Sequence, residues 1–384
     1  MSNKTENINL KEINRIKVEI LANGINYDDA FIVQYNQDET TLQKRRAYGN
    51  SDEVIRSNVK VPQEIVLPGN IVVATNQRSS SSWNLDYKDG KYIVHDNETV
   101  LNVNFPVQPK FYDYYNSEKV KLDQLITLYG GSTLGVFSPG TCYFWGKKLE
   151  CKFCSLQPTR AQLSNHKIFI EPDKVVEATQ LALTDKTNEI KHFLLNGGTI
   201  SDYDKGFKKH LAILEAVNNS GILNEVPMHL ISMPPKDLTL FKELARLEAT
   251  IAMDIEVFDP ELFNDICPGK SKDYGRENFI HALTVAVDYM GEGNVYCGFV
   301  AGLEPIDSFI EGLYFMADKG VVPAVNIFHN DPESQFKNHS RPSIEYINEV
   351  GKHMAIIYKK YNYKPFLEGS GRNAVDTEAY RQLF

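Results

Sequence analysis

The sequence predicts an α/β fold built on a parallel sheet, either open and doubly wound or closed part-way into a barrel, with a β-rich α+β accessory region before it. Two observations carry this. Beyond about residue 130, six strand-like runs alternate with helical patterns, and such alternation builds a parallel sheet with helices outside it. Before that point the signals are mixed, with short extended runs and a hairpin signature. The expected division is 1–130 for the accessory region, 131–365 for the sheet domain and 366–384 for a C-terminal tail.

Each element has a local reason. "LKEINRIKVEILANG" is an amphipathic helix closed by Gly24. "RSSSSW" reads as a mobile loop by composition, and the run after it as a hairpin plus strand, because Asp89-Gly90 is a turn dipeptide between alternating and aromatic residues. The six later strands are expected at 133–138, 192–197, 226–232, 249–257, 294–302 and 322–329. Helical segments fill the gaps: "EPDKVVEATQLALTD", "KGFKKHLAILEAVNNSG", "PKDLTLFKELARLE", "GRENFIHALTVAVDYMG" and "IDSFIEGLYFMADKG". Three of them stop at a glycine, a common helix end.

Composition sets limits on function. With 384 residues, 42% hydrophobic and 24% charged, the chain is long enough to bury a sizeable core and has no bias toward disorder. A net charge of -9 disfavours a diffuse phosphate-backbone footprint, and the basic clusters "LQKRRAYG" and "FKKHLA" are short enough to be solvated faces. The N-terminus has no apolar signal core, and no run approaches the roughly 18 apolar residues of a membrane span. A cytoplasmic protein is expected, with neither nucleic acid nor membrane as partner.

Five cysteines is an odd count, and three of them, Cys142, Cys151 and Cys154, fall in "GTCYFWGKKLECKFCSLQ" just past the first strand of the sheet domain. An odd count argues against a disulfide framework and for metal-binding or catalytic thiols. Parallel α/β folds carry their chemistry at that end of the strands. Zinc would want a fourth ligand, and His166 keeps a Cys3His site open. An iron-sulfur cubane takes four thiolates, so three would leave one iron with an open position.

Three cysteines after the first strand, ending in a C-x-x-C with an aromatic inside it ("CKFC"), resemble the radical S-adenosylmethionine (radical SAM) superfamily. Its usual spacing is C-x3-C-x2-C, and this chain has C-x8-C-x2-C. The resemblance extends over residues 130 to 330. It implies a partial (β/α)6 TIM-type barrel holding a [4Fe-4S] cluster on the three cysteines, with S-adenosylmethionine (SAM) on the open iron and Phe153 beside the adenine. "LLNGGT" resembles the glycine pair that receives the methionine amino group, here Gly197 and Gly198, although Thr199 stands where the family often has an acid. "GFVAGLEP" resembles the stretch near the adenine, with Gly298, Val300, Gly302 and Glu304. "DYGREN" resembles the place of a carboxylate-binding arginine, which makes Arg276 the candidate and Lys270 its substitute. Ser232 and Glu256, ending the third and fourth strands, are further SAM contacts on this reading.

What the resemblance implies is reductive cleavage of SAM to a 5′-deoxyadenosyl radical that abstracts hydrogen from a small-molecule substrate, a natural product or a peptide among them. An external one-electron donor such as flavodoxin or ferredoxin would serve it. For the substrate, Asn326, His329 and Asn330 after the sixth strand and Cys297 within the fifth are the candidates; a plain polar loop is the competing reading of the first three. Core packing is the default for Cys267 and Cys297, since cysteine is among the most buried residue types. Glu256 and Glu304 could instead be polar strand ends, and Arg276 a helix-surface residue. Two other classes remain: a zinc-stabilised β/α binding module, and an iron-sulfur redox protein that leaves SAM intact.

Overall fold

The computed structural model describes residues 9–41, 62–161, 169–366, 368 and 371–384. The basic "LQKRRAYG" stretch and His166 lie outside the described residues. The chain divides into two compact units that interleave in sequence: residues up to 108 with 301–306 and 326–384, and residues 109–300 with 307–325.

The first unit joins N- and C-terminal segments. The helix Leu10–Asn23 starts at Asn9, whose side chain accepts from the Lys11 N–H, and ends at Gly24, φ 76°. Strands β1 (Glu64–Leu67) and β2 (Ile71–Ala74) form an antiparallel pair, and β3 (Asn84–Lys88), β4 (Lys91–His95) and β5 (Val100–Asn102) form a three-stranded sheet. The β3–β4 turn is at Asp89 and Gly90, both with positive φ (51° and 78°), as a two-residue hairpin requires. At the end of the "RSSSSW" run, Trp83 is buried and donates from its indole to Glu19 at 2.9 Å. The segment expected as a tail holds the short helix Asp376–Tyr380, and its Glu378 forms a buried ion pair with Lys17 at 2.6 Å. The helix Ile344–Tyr361, capped by Ser343, packs against Leu10–Asn23.

The second unit is organised on a seven-stranded sheet. Antiparallel β6 (Ile126–Tyr129) lies at its edge beside β7 (Thr133–Phe137). Then come β8 (His192–Asn196), β9 (Met228–Ile231), β10 (Thr250–Ala252), β11 (Val295–Ala301) and β12 (Val322–Ile327), in sequence order. Pairing is parallel from β7 through β11, and Leu194 and Ile251 sit in register with His229 and Leu230. Adding each strand on the same side by right-handed crossovers puts every connecting helix on one face. This is the strand order a (β/α)6 partial barrel needs, whereas a doubly wound sheet reverses direction. The buried residues along β7, β8 and β11 fit strands covered on both faces.

One strand is shorter than its sequence suggests. The run 249–257 is apolar and β-branched enough for a long strand, yet β10 stops at Ala252. Asp254 is the reason: its side-chain oxygen takes the Gly298 N–H at 3.0 Å, in place of a backbone carbonyl. Glu256 follows at φ 69° and only then re-pairs, with its N–H on Gly298 O and its carbonyl on the Val300 N–H. A non-glycine residue in that region is uncommon and tends to mark a functional position.

Candidate metal centre

The cysteine loop begins where β7 ends, and two other segments fix it. Its first part is tied to the residues after β8: Ser138 N–H donates to Asn196 O, Gly198 N–H to Pro139 O and Tyr143 N–H to Thr199 O, at 2.8–2.9 Å. Gly197 and Gly198 are required by this contact. A Cβ on Gly198 would stand 2.8 Å from the Cys142 nitrogen and closer still to Thr141 O, and one on Gly197 would stand 2.6–2.7 Å from Ser138 and Pro139 backbone atoms. The loop's second part is zipped to residues 265–269. Lys152 N–H donates to Ile266 O (2.9 Å), Gly269 N–H to Leu149 O (3.0 Å), and Lys152 Nζ meets Asp265 at 2.5 Å. Cys154 closes a turn on Cys151 O at 2.9 Å, and its sulfur accepts the Leu156 N–H at 3.4 Å.

This places the three half-buried thiols within electrostatic reach of one another. Their environments differ. Burial pushes the Cys142 thiol up and the Cys154 thiol up to about 12. Cys151 moves the other way, because a hydrogen bond from Cys267 and the positive charge of Lys270 outweigh its burial. Cys267 is fully buried and lies beside Cys151, a placement beyond the core role expected of it.

Lys270 is the cation at this centre. Its Nζ donates to Asp254 O at 2.6 Å and to Glu256 Oε1 at 2.8 Å. Burial raises Glu256 to about 7 even with Lys270 beside it, while the surrounding carboxylates and thiols hold Lys270 protonated against its own desolvation. Burial likewise raises Asp254. Arg276, the first choice from sequence, is engaged elsewhere: Nε donates to Phe258 O at 2.9 Å, the guanidinium stacks 4.6 Å from the Phe258 ring centre, and Nη1 meets Glu277. Cys297, buried in β11, has its thiol pushed up by burial and feels the charges of Asp254, Glu256 and Lys270.

Ser232 is held by a residue the sequence did not single out. His210 is buried, with Nδ1 3.1 Å from Ser232 Oγ and Nε2 2.8 Å from Ser138 O. Phe153 is half-buried inside the C-x-x-C turn. The remaining candidates belong to the first unit. Gly302 has φ 101° and sits under Pro342, buried Glu304 accepts from Tyr346 at its carbonyl, and exposed Asn326 bridges Ala374. His329 is half-buried, and Asn330 is committed to its loop through His339 O at 2.6 Å and Arg341 Nε at 2.8 Å.

Three thiolates would each hold one iron of a [4Fe-4S] cluster and leave the fourth iron open. Among the described residues no group of three Cys, His, Asp or Glu side chains is arranged to hold a single metal ion.

Over 145 residues, 36% of this chain, the sequence is 31% identical to the bacteriochlorophyllide c C-7(1)-hydroxylase of Chlorobaculum limnaeum. The match spans about a third of that relative's length, 35%. No protein-family model matches the chain. Similar solved structures include a radical SAM methyltransferase from Sphaerobacter thermophilus, with a TM-score of 0.44 and 13% identity over 76% of this chain and 81% of that one. Methylornithine synthase gives 0.44 and 17%, over 61% of this chain and 65% of that one. The FeFe-hydrogenase maturase HydG of Carboxydothermus hydrogenoformans gives 0.42 and 16%, over 63% and 55%. Likeness of this degree says nothing of the reaction. Among the described residues no helix is long and apolar enough to cross a membrane.

Proposed function

We propose that this chain is a radical SAM enzyme in which Cys142, Cys151 and Cys154 hold a [4Fe-4S] cluster. The observation that carries the reading is the three-thiol loop at the carboxyl end of the first parallel strand, with its thiols within electrostatic reach of one another. When bound, the cluster supplies the electron that cleaves SAM and yields a radical able to take hydrogen from an unactivated carbon.

The protein's own residues bind and orient. Gly197 and Gly198 let the cysteine loop lie directly on the end of β8. Lys270 provides a buried positive charge beside Cys151 that can take an acidic group of the cosubstrate, with Glu256 keeping it in place. His210 fixes Ser232 at the end of β9.

A small-molecule substrate is favoured over a peptide by the relative's name, which denotes hydroxylation at a carbon of a small molecule. A small electron-transfer protein of the flavodoxin or ferredoxin type is the expected donor. The test is anaerobic reconstitution followed by SAM and a strong reductant. The proposal expects about four irons per chain and release of 5′-deoxyadenosine, with Cys151→Ala losing both. A wild-type chain that takes up zinc alone and leaves SAM intact would overturn it.

A further inference from the structure

We propose that Arg341 and Arg78, in the first unit, form a binding site for an oxyanion, the phosphate or carboxylate of an acidic small molecule. The guanidinium of Arg341 and the base of the Arg78 side chain both stand beside Gly24 at the end of the first helix. A Cβ placed on Gly24 would stand 2.9 Å from Arg78 Cβ and 3.4 Å from Arg341 Nη1. Gly24 has φ 76°, so the position favours glycine on backbone grounds, and the missing side chain leaves room for the second guanidinium.

Arg341 is positioned from one end only. Its Nε donates to Asn330 Oδ1 at 2.8 Å, and Asn330 is itself held through the carbonyls of Phe336 and His339. At the other end Nη1 is buried and has no hydrogen-bond partner among the described residues. Among the described residues neither arginine is paired with a carboxylate. Arg78 is exposed, and its backbone is fixed by its N–H on Ile25 O at 2.9 Å and its carbonyl on the Ser81 N–H at 3.0 Å.

The Arg78 charge disfavours that of Arg341, no carboxylate among the described residues offsets the two, and a buried N–H without an acceptor is costly. Folded proteins tolerate such an arrangement where a ligand completes it, and the planar guanidinium fork matches phosphate and carboxylate oxygens. Buried Asn76, two residues before Arg78, has a side-chain oxygen without a partner among the described residues. The two positive charges suit a phosphate dianion better than a single carboxylate.

The site does not depend on the cluster, so the test uses the full chain with or without iron. Inorganic phosphate and acetate are titrated separately by calorimetry at constant ionic strength, with chloride as the control. Binding of phosphate beyond chloride is expected, weakened about ten- to hundredfold by Arg341→Gln and weakened also by Arg78→Gln. Should Arg341→Gln fail to fold, the exposed Arg78→Gln and the charge-conserving Arg341→Lys carry the comparison. Tighter acetate than phosphate, lost in the same variants, would assign a carboxylate ligand to the same site. No binding beyond chloride, or binding unchanged in the variants, would overturn the proposal while leaving the radical SAM reading untouched.

Discussion

His210 offers the most direct check on how the site is built. The ring is buried between Ser138 O and Ser232 Oγ, and burial lowers its pKa from 6.5 to about 4. Between those values the unfolded chain binds the proton and the folded chain does not. Stability therefore rises with pH across that window, and it is lost as pH falls from 6.5 toward about 4. From about pH 7.5 to about pH 5 the loss works out at about 2 kcal/mol. Buried His229, lowered to about 3 in the same way, adds a similar amount. The perturbation is His210→Gln, which keeps a polar side chain without a titrating ring. Chemical denaturation of the cluster-free chain at both pH values should show the variant losing about half as much stability from this pair as the wild type does. An unchanged pH dependence would mean that the imidazole is not held neutral by burial, and the account of how His210 is held between Ser138 and Ser232 would fail.

Two further outcomes follow from the packing. Lys270→Met removes the partner of a buried carboxylate, and breaking such a pair costs about 3–5 kcal/mol; Lys270→Met with Glu256→Gln should recover most of that in a denaturation series, since the pair's side chains are only 11% and 16% exposed. Gly198→Ala drives a Cβ against Thr141 O and the Cys142 nitrogen. It should cost about 1–3 kcal/mol and lower iron uptake on reconstitution, whereas Gly146→Ala, with nothing within 4 Å, should leave both unchanged.

The strands were legible because a buried parallel sheet needs apolar, β-branched runs, and "HFLLN" and "VYCGFVA" are such runs. The three cysteines were legible for a different reason: they are close in sequence. What stayed hidden depends on tertiary contact. Cys267 lies far along the chain from Cys151, and no spacing rule links them, so packing was the sensible default. The choice between Lys270 and Arg276 was hidden too, as they stand six residues apart, Lys270 in the short helix Pro268–Asp273 and Arg276 at the start of the helix Arg276–Met290. The Phe258 ring and carbonyl draw Arg276 away, leaving Lys270 as the charge beside the thiols. Nor could the sequence tell that Asp254 would cut β10 short, because a single acid in an apolar run reads as an ordinary strand residue.

The unusual C-x8-C spacing has a physical account in these contacts. Cys142 is set by the hydrogen bonds to the end of β8, and Cys151 by those of Leu149 and Lys152 to residues 266 and 269. Each thiol is thus anchored to a different part of the unit, and the chain between them is free to vary in length. Here the intervening residues form the helical turn Tyr143–Gly146, whose Phe144 is buried against Gly269. A side chain at 269 would collide with that ring, so the longer gap and the glycine before Lys270 fit each other. The helical turn Tyr143–Gly146 clamps the loop to the segment that carries both Cys267 and Lys270. Because the thiolate is the form that binds metal, the hydrogen bond donated by Cys267 and the nearby Lys270 charge favour the metal-binding form at Cys151.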